Sequence, residues 1–208
     1  MKLRVVATLL GLVTLTSCGS QPVATITSQE SVINQPDGTK KTITPSPTQE
    51  VTQAVVTPGA IVSCRSVKFI EKPEKDLIIN CLDGAQGFNV GAIQGPAIIN
   101  VWGTWCYPCR EELPIFVEYY KTMSPEIQLV GVDVEDAPYK VVQPFVIAQG
   151  ISWPNFYDPD HSSRSYFGNG VPVTWFINSK NEVAYKKFGK FDNLQQLQEL
   201  ANQYLGVS

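Results

Sequence analysis

An α/β domain with a central mixed β-sheet and helices on both faces is the fold class predicted from about Ala60 to Ser208. Three patterns predict it: β-branched apolar runs bounded by chain breakers, amphipathic stretches at helical spacing between them, and a late pair of runs joined by a polar turn. Ala97–Val101, "AIINV", follows the break at Gly95-Pro96 and reads as a buried strand. In "CREELPIFVEYYKTM", Leu113, Phe116, Val117 and Tyr120 fall at i, i+3, i+4 and i+7, one face of an amphipathic helix. Pro114 lies inside that helix and should kink it, because it has no N–H and its ring crowds the Arg110 carbonyl. Ile127–Val134, "IQLVGVDV", is the next buried strand, and Ala137–Gln149 a second helix interrupted at Pro144. "PVTWFIN" and "EVAYKKF" read as two strands joined at Asn178-Ser179-Lys180-Asn181, and Leu194, Leu197, Leu200 and Ala201 mark a closing amphipathic helix. The order β-α-β-α-β-β-α gives the mixed sheet. These about 150 residues suffice for one compact domain with its own core, and no internal repeat is visible.

The first 59 residues carry a different message. Lys2 and Arg4 precede an uncharged apolar run from Val5 to Leu15, too short for a mature transmembrane helix, so residues 1–17 are expected to be a signal peptide. Its end, Leu15-Thr16-Ser17-Cys18, resembles the bacterial lipobox, in which the cysteine is lipidated (palmitate being one such acyl group) and becomes the first mature residue. Residues 18–59 are rich in Ser, Thr, Gln and Pro, contain no aromatic residue and read as a disordered tether. About 40 such residues have an r.m.s. reach of roughly 35 Å, enough for a domain to search a shallow zone above a membrane. Cleavage before Cys18 would leave 14 basic against 19 acidic side chains, a formal charge of −5, which argues against a nucleic-acid partner. The expected location is extracytoplasmic, lipid-anchored to the bacterial cell membrane.

With Cys18 set aside, Cys64, Cys81, Cys106 and Cys109 remain, an even number that in an oxidising compartment reads first as two pairs. In "WCYPC" the pair Cys106/Cys109 starts a helix after a buried strand. There, free N–H groups and the positive end of the helix dipole stabilise a thiolate, so Cys106 should have a lowered pKa. Pro108 falls in the first helical turn, where its missing N–H costs little. Cys109, a turn further in, should be more buried and suits a resolving thiol. A metal site needs two more ligands from Cys64, Cys81 and the only histidine, His161, and no second close-spaced pair exists. A mere staple gains little, because a two-residue loop closes at almost no entropy cost. Redox catalysis is the reading that uses the position, and it needs no cofactor beyond the pair. Pairing Cys64 with Cys81 would close an 18-residue loop and contribute roughly 3 kcal/mol, a structural disulfide; a relay to the active pair is the alternative. His161, in the polar "DPDHSSRSYFG", is read as a surface residue.

"INVWGTWCYPCREELP", then "VGVDVED" and "GVPVTWFIN", resemble the thioredoxin-fold thiol:disulfide oxidoreductases of the ResA/TlpA type, many of them membrane-tethered. The resemblance covers most of Leu77–Leu205 and implies a thioredoxin-like fold. It implies further that Cys106 is the nucleophile, Cys109 the resolving thiol and Trp105 the aromatic packed beside them. Pro172 matches the family's cis-proline, with the backbone of Val171 binding an extended substrate segment. Glu112 matches an acidic residue implicated in proton handling, against the alternative of a solvated glutamate like Glu111. Asn100 stands where thioredoxin has a buried aspartate, which makes Glu112 the better proton-transfer candidate. Expected partners are oxidised cysteines of exported proteins such as apocytochromes c, a membrane-embedded thiol electron donor, and the membrane itself; a monomer is expected.

Direction depends on dithiol-disulfide stability, which spans about 150 mV among CxxC proteins, or roughly 7 kcal/mol. Strong oxidants of the superfamily hold the thiolate with a histidine between the cysteines. Here Tyr107 and Pro108 carry no charge, which favours a reductant over a disulfide-forming oxidant. A thiol peroxidase would need Thr-x-x-Cys, which "TWC" does not provide. A copper-delivery module would want C-x-x-x-C, one residue longer than this spacing.

Overall fold

The computed structural model describes residues 60–206, so the expected signal peptide, Cys18 and the tether to residue 59 lie outside the described residues. Strands β1 (Ile78–Cys81), β2 (Phe88–Asn89), β3 (Ala97–Trp102), β4 (Gln128–Val134), β5 (Asn155–Asp158), β6 (Val173–Ile177) and β7 (Val183–Phe188) form one sheet in the order β2-β1-β5-β4-β3-β6-β7. β3, β4 and β5 run parallel through the centre, while β1, β6 and β7 are antiparallel to their neighbours. The expected mixed sheet is present. Two short outer strands, β1 and β2, together with β5, were not expected.

All six residues of β3 are buried, which is why its sequence is a continuous apolar run rather than an alternating one. Its side chains still divide by face. Ile98 and Trp102 join the core built from α1 (Tyr107–Thr122), α2 (Tyr139–Ala148) and α4 (Leu194–Leu205), through Leu113, Phe116, Val142, Val146, Leu197 and Leu205. Ala97, Ile99 and Val101 face the second core, where Val67, Val90 and Phe167 of the short α3 (Arg164–Phe167) close the other side.

Helix α1 continues through Pro114, and α2 through Pro144. Pro114 and Arg110 both lie on the exposed side of α1, where solvent replaces the missing N–H, while Leu113, Phe116 and Tyr119 hold the opposite side in the core. At the sheet edge Cys64 and Cys81 are disulfide-bonded and fully buried, tying the segment before β1 to the strand that pairs with β5.

His161 is not a surface residue: it is 4% exposed. The polar stretch after β5 folds as a tight turn in which His161 adopts φ +50 and its Nδ1 comes 3.3 Å from Glu135 Oε1. Asp158 organises that turn, its carboxylate accepting from the N–H groups of Ser162 and Ser163, each at 2.8 Å. Polarity had suggested exposure, and the local hydrogen bonding of the turn instead buries the ring.

Candidate active site

β3 delivers the chain through Gly103-Thr104-Trp105 to the start of α1, and this turn is held by the end of β4 and the residues just after it. The Asp136 carboxylate accepts from Thr104 N–H (2.5 Å) and Thr104 Oγ1 (2.7 Å). Trp105 Nε1 donates to the Val134 carbonyl at 3.0 Å. Gly103 permits this approach, since a Cβ there would stand 2.5 Å from Trp105 Nε1.

Cys106 is the N-cap of α1: its Sγ accepts from Cys109 N–H at 3.2 Å and its carbonyl from Arg110 N–H at 3.2 Å. Pro108 sits in the first turn as expected. Cys106 and Cys109 are joined in a disulfide, with Cys109 fully buried and Cys106 4% exposed. The flanking Trp105 and Tyr107 are 50% and 63% exposed, so apolar surface borders the one sulfur that approaches solvent. Arg110 lies over the Tyr107 ring at 5.7 Å. The Val171-Pro172 peptide is cis, and Pro172 directly precedes β6, whose Val173 pairs with Val101 near the end of β3 that leads to Cys106.

Glu112 is completely buried one helical turn beyond Cys109, unlike the exposed Glu111. Asn100 Nδ2 donates to Oε1 at 2.9 Å and Phe191 N–H to Oε2 at 3.0 Å. Burial pushes the Glu112 carboxyl up from 4.5 to about 7, against the opposing pull of these two donors and of the Lys187 and Lys190 charges. Asn100, which also donates to Thr174 Oγ1 at 3.2 Å, is therefore more than a missing acid: it is a support for the one that is present.

Four participants were missed in the sequence. Asp136 pins the turn, Phe191 donates to Glu112 from a distant position, Lys187 brings a positive charge near it, and Asp133 lies fully buried in β4 opposite Trp102. No N–H or O–H among the described residues donates to either Asp133 oxygen. Burial first, then the Asp136 and Asp158 carboxylates, push its pKa up to about 9, so it is held as the neutral acid. Asp133 and Asp136 lie three residues apart in "VDVED", where acids at and just beyond the end of a buried strand were the available signal. Among the described residues no group of three or more His, Cys, Asp or Glu side chains is disposed to hold a metal ion, and no helix is long and apolar enough to cross a membrane.

Together these features define a thioredoxin-like fold carrying an oxidised CxxC pair at the N-terminus of the helix that follows the central strand. Residues 70–186 match the AhpC/TSA family, and the chain belongs to it. It is 31% identical over 87 residues to thiol-disulfide oxidoreductase ResA of Bacillus subtilis (strain 168), a match covering 41% of this chain and 48% of ResA. Sporulation thiol-disulfide oxidoreductase A of the same organism is 29% identical over 106 residues, 49% of this chain and 64% of that protein. The chain thus spans between about half and two thirds of these relatives. Among solved structures, StoA from Bacillus subtilis superposes with a TM-score of 0.51 at 25% identity, covering 60% of this chain and 95% of StoA. A thioredoxin-family thiol:disulfide interchange protein from Chlorobium tepidum TLS superposes with a TM-score of 0.55 at 25% identity, covering 65% and 97%.

Proposed function

We propose that this protein is a thiol:disulfide oxidoreductase acting on exported proteins, tethered to the extracytoplasmic face of a bacterial cell membrane through lipidated Cys18, and working as a reductase. The observation that carries the reading is the Cys106–Cys109 disulfide seated on the N-terminus of α1, with a buried carboxyl one turn further along the same helix. The names of the relatives support the same chemistry.

In the reduced enzyme the Cys106 thiolate, stabilised by the Cys109 N–H and the helix dipole, attacks a substrate disulfide. A Cys106–substrate disulfide forms, and the first substrate thiolate leaves and takes up a proton. Cys109 then gives its proton to the Glu112 carboxylate and attacks Cys106 Sγ, forming the 106–109 disulfide and releasing the second substrate sulfur as a thiolate, which takes up a proton from solvent. Two electrons have passed to the substrate, and a membrane-embedded dithiol donor returns them by the reverse exchange. The backbone at Val171, before Pro172, would pair with the substrate segment, while Trp105 and Tyr107 give it an apolar border. Cytochrome c maturation, with apocytochrome cysteines as substrates, is the pathway class that this chemistry suits.

Cys109→Ser should accumulate mixed disulfides between Cys106 and exported proteins, released by dithiothreitol and absent when Cys106 is also changed to Ser. If no reductant-sensitive adduct forms and Cys106→Ser has no phenotype, the proposal is wrong.

A further inference from the structure

We propose that Lys187, with the turn Gly189–Phe191 that it clamps, is a positioning residue that seats the Glu112 carboxylate for proton transfer at the redox pair. The inference rests on the role given to Glu112 above and names what controls it.

Three strands set the geometry. Asn100 of β3 is the register partner of Thr174 of β6, and Thr174 is the partner of Lys187 of β7. Register partners share a face of a sheet, so Asn100, Thr174 and Lys187 form a row on the side covered by α1 and α4. Asn100 uses this row to hold Glu112 Oε1. Lys187, one strand further out, bends to the end of its own strand. Its Nζ donates to the Gly189 carbonyl at 2.9 Å and the Lys190 carbonyl at 2.5 Å, and lies 4.7 Å from the centre of the Phe191 ring. The turn so gathered presents the Phe191 N–H to Glu112 Oε2.

A second link ties the turn to α1, where Lys190 pairs with Glu111 at 3.0 Å. This pair is exposed and contributes little by itself. Lys187 is different, being half-buried with two carbonyls and a ring face converging on its ammonium group. Only a rotatable multiple donor with a charge satisfies all three at once. Removing it frees the turn, weakens the Phe191 N–H contact and deletes a cation that favours the carboxylate form of Glu112.

The groups that act on Glu112 come from three places: Asn100 of β3, itself held by Thr174 of β6, Lys187 of β7, and from the following turn Lys190 and the Phe191 N–H, with Glu111 of α1 behind Lys190 as its ion-pair partner. Lys187 and Lys190 are the two cations that favour the charged form, and Lys187 also orders the donor.

The experiment follows the resolving step. Reduced full-chain protein is mixed with excess glutathione disulfide, and loss of the Cys106–glutathione adduct is timed by acid quench and mass measurement across pH 5.5–9. Wild type should show an inflection near 7, the pKa to which Glu112 is pushed. Glu112→Gln should abolish it. Lys187→Met, which keeps an unbranched side chain of similar length without the charge, should move the inflection up by about half to one pH unit and slow the step at pH 7 roughly two- to fivefold. Lys187→Arg should keep it near the wild-type position. An unmoved inflection in Lys187→Met overturns the role of Lys187, as does an equal shift in Lys187→Arg. Should Lys187→Met not fold, Lys187→Gln gives the same reading. An inflection that survives in Glu112→Gln instead overturns the role of Glu112 itself, so the two failures are distinct.

Discussion

Glu112→Gln offers a stability experiment with a definite sign. The folded protein holds the Glu112 proton up to about pH 7, whereas an unfolded chain releases it near the ordinary value of 4.5. The folded state therefore binds the extra proton between these values, and its advantage is complete below about pH 4.5 and fades as pH rises through 7. A shift from 4.5 to about 7 corresponds to about 3 kcal/mol at pH 8, at about 1.4 kcal/mol per pH unit. Gln has no such titration. Its Oε can still accept from Phe191 N–H, and a flipped Asn100 amide can accept from its Nε, so the fixed cost is small, on the order of 1 kcal/mol. The assay is urea unfolding of the oxidised protein at half-unit steps from pH 4.5 to 8. Subtracting the two curves cancels other titrating groups. The stability of wild type relative to Glu112→Gln should fall by about 3 kcal/mol across this range. Parallel curves would mean that burial does not hold the Glu112 proton, and the account of its proton transfer would fail with it.

Asp133→Asn should stabilise the protein at pH 7 by about 2–4 kcal/mol, since the raised Asp133 pKa of about 9 makes stability fall as pH rises above the ordinary 3.8; the variant's unfolding curve should be flatter from pH 5 to 9. Replacing both Cys64 and Cys81 with Ala should cost about 3 kcal/mol in urea unfolding while the 106/109 pair still exchanges with glutathione disulfide, as expected for a buried staple. Gly103→Ala should break the Trp105 indole hydrogen bond to Val134, seen as an upfield shift of the indole N–H signal, and destabilise the turn by about 1 kcal/mol.

The strongly periodic elements were legible before any coordinates. β3, β4, β6, β7, α1 and α2 occur within about two residues of the sequence reading, and α4 starts at the expected Leu194 but runs on past Ala201 to Leu205, because their apolar spacing records the face they bury. β5 was not legible: "NFYD" is four residues long, follows a proline and has polar ends, and only pairing with β4 and β1 makes it a strand. His161 misled because polar neighbours signal exposure, while the buried ring is met by Glu135, which follows β4 and is distant in sequence. The cysteine pair and its helix-start position were plain in "WCYPC", and so was Glu112 as a candidate. What could not be read was its setting, since Asn100 and Phe191 lie 12 and 79 residues away and meet the carboxylate only through the fold. Lys187 had no signal at all beyond being one of two adjacent lysines in an edge strand.

The central claim is that the 106/109 pair is a redox couple poised to donate electrons, and its reduction potential tests that most directly. Full-chain protein equilibrated in graded glutathione or dithiothreitol buffers, then alkylated and weighed, should titrate as a single two-electron couple at Cys106 and Cys109 near −250 mV or lower. A midpoint near −120 mV would make the protein an oxidant and contradict the direction proposed here.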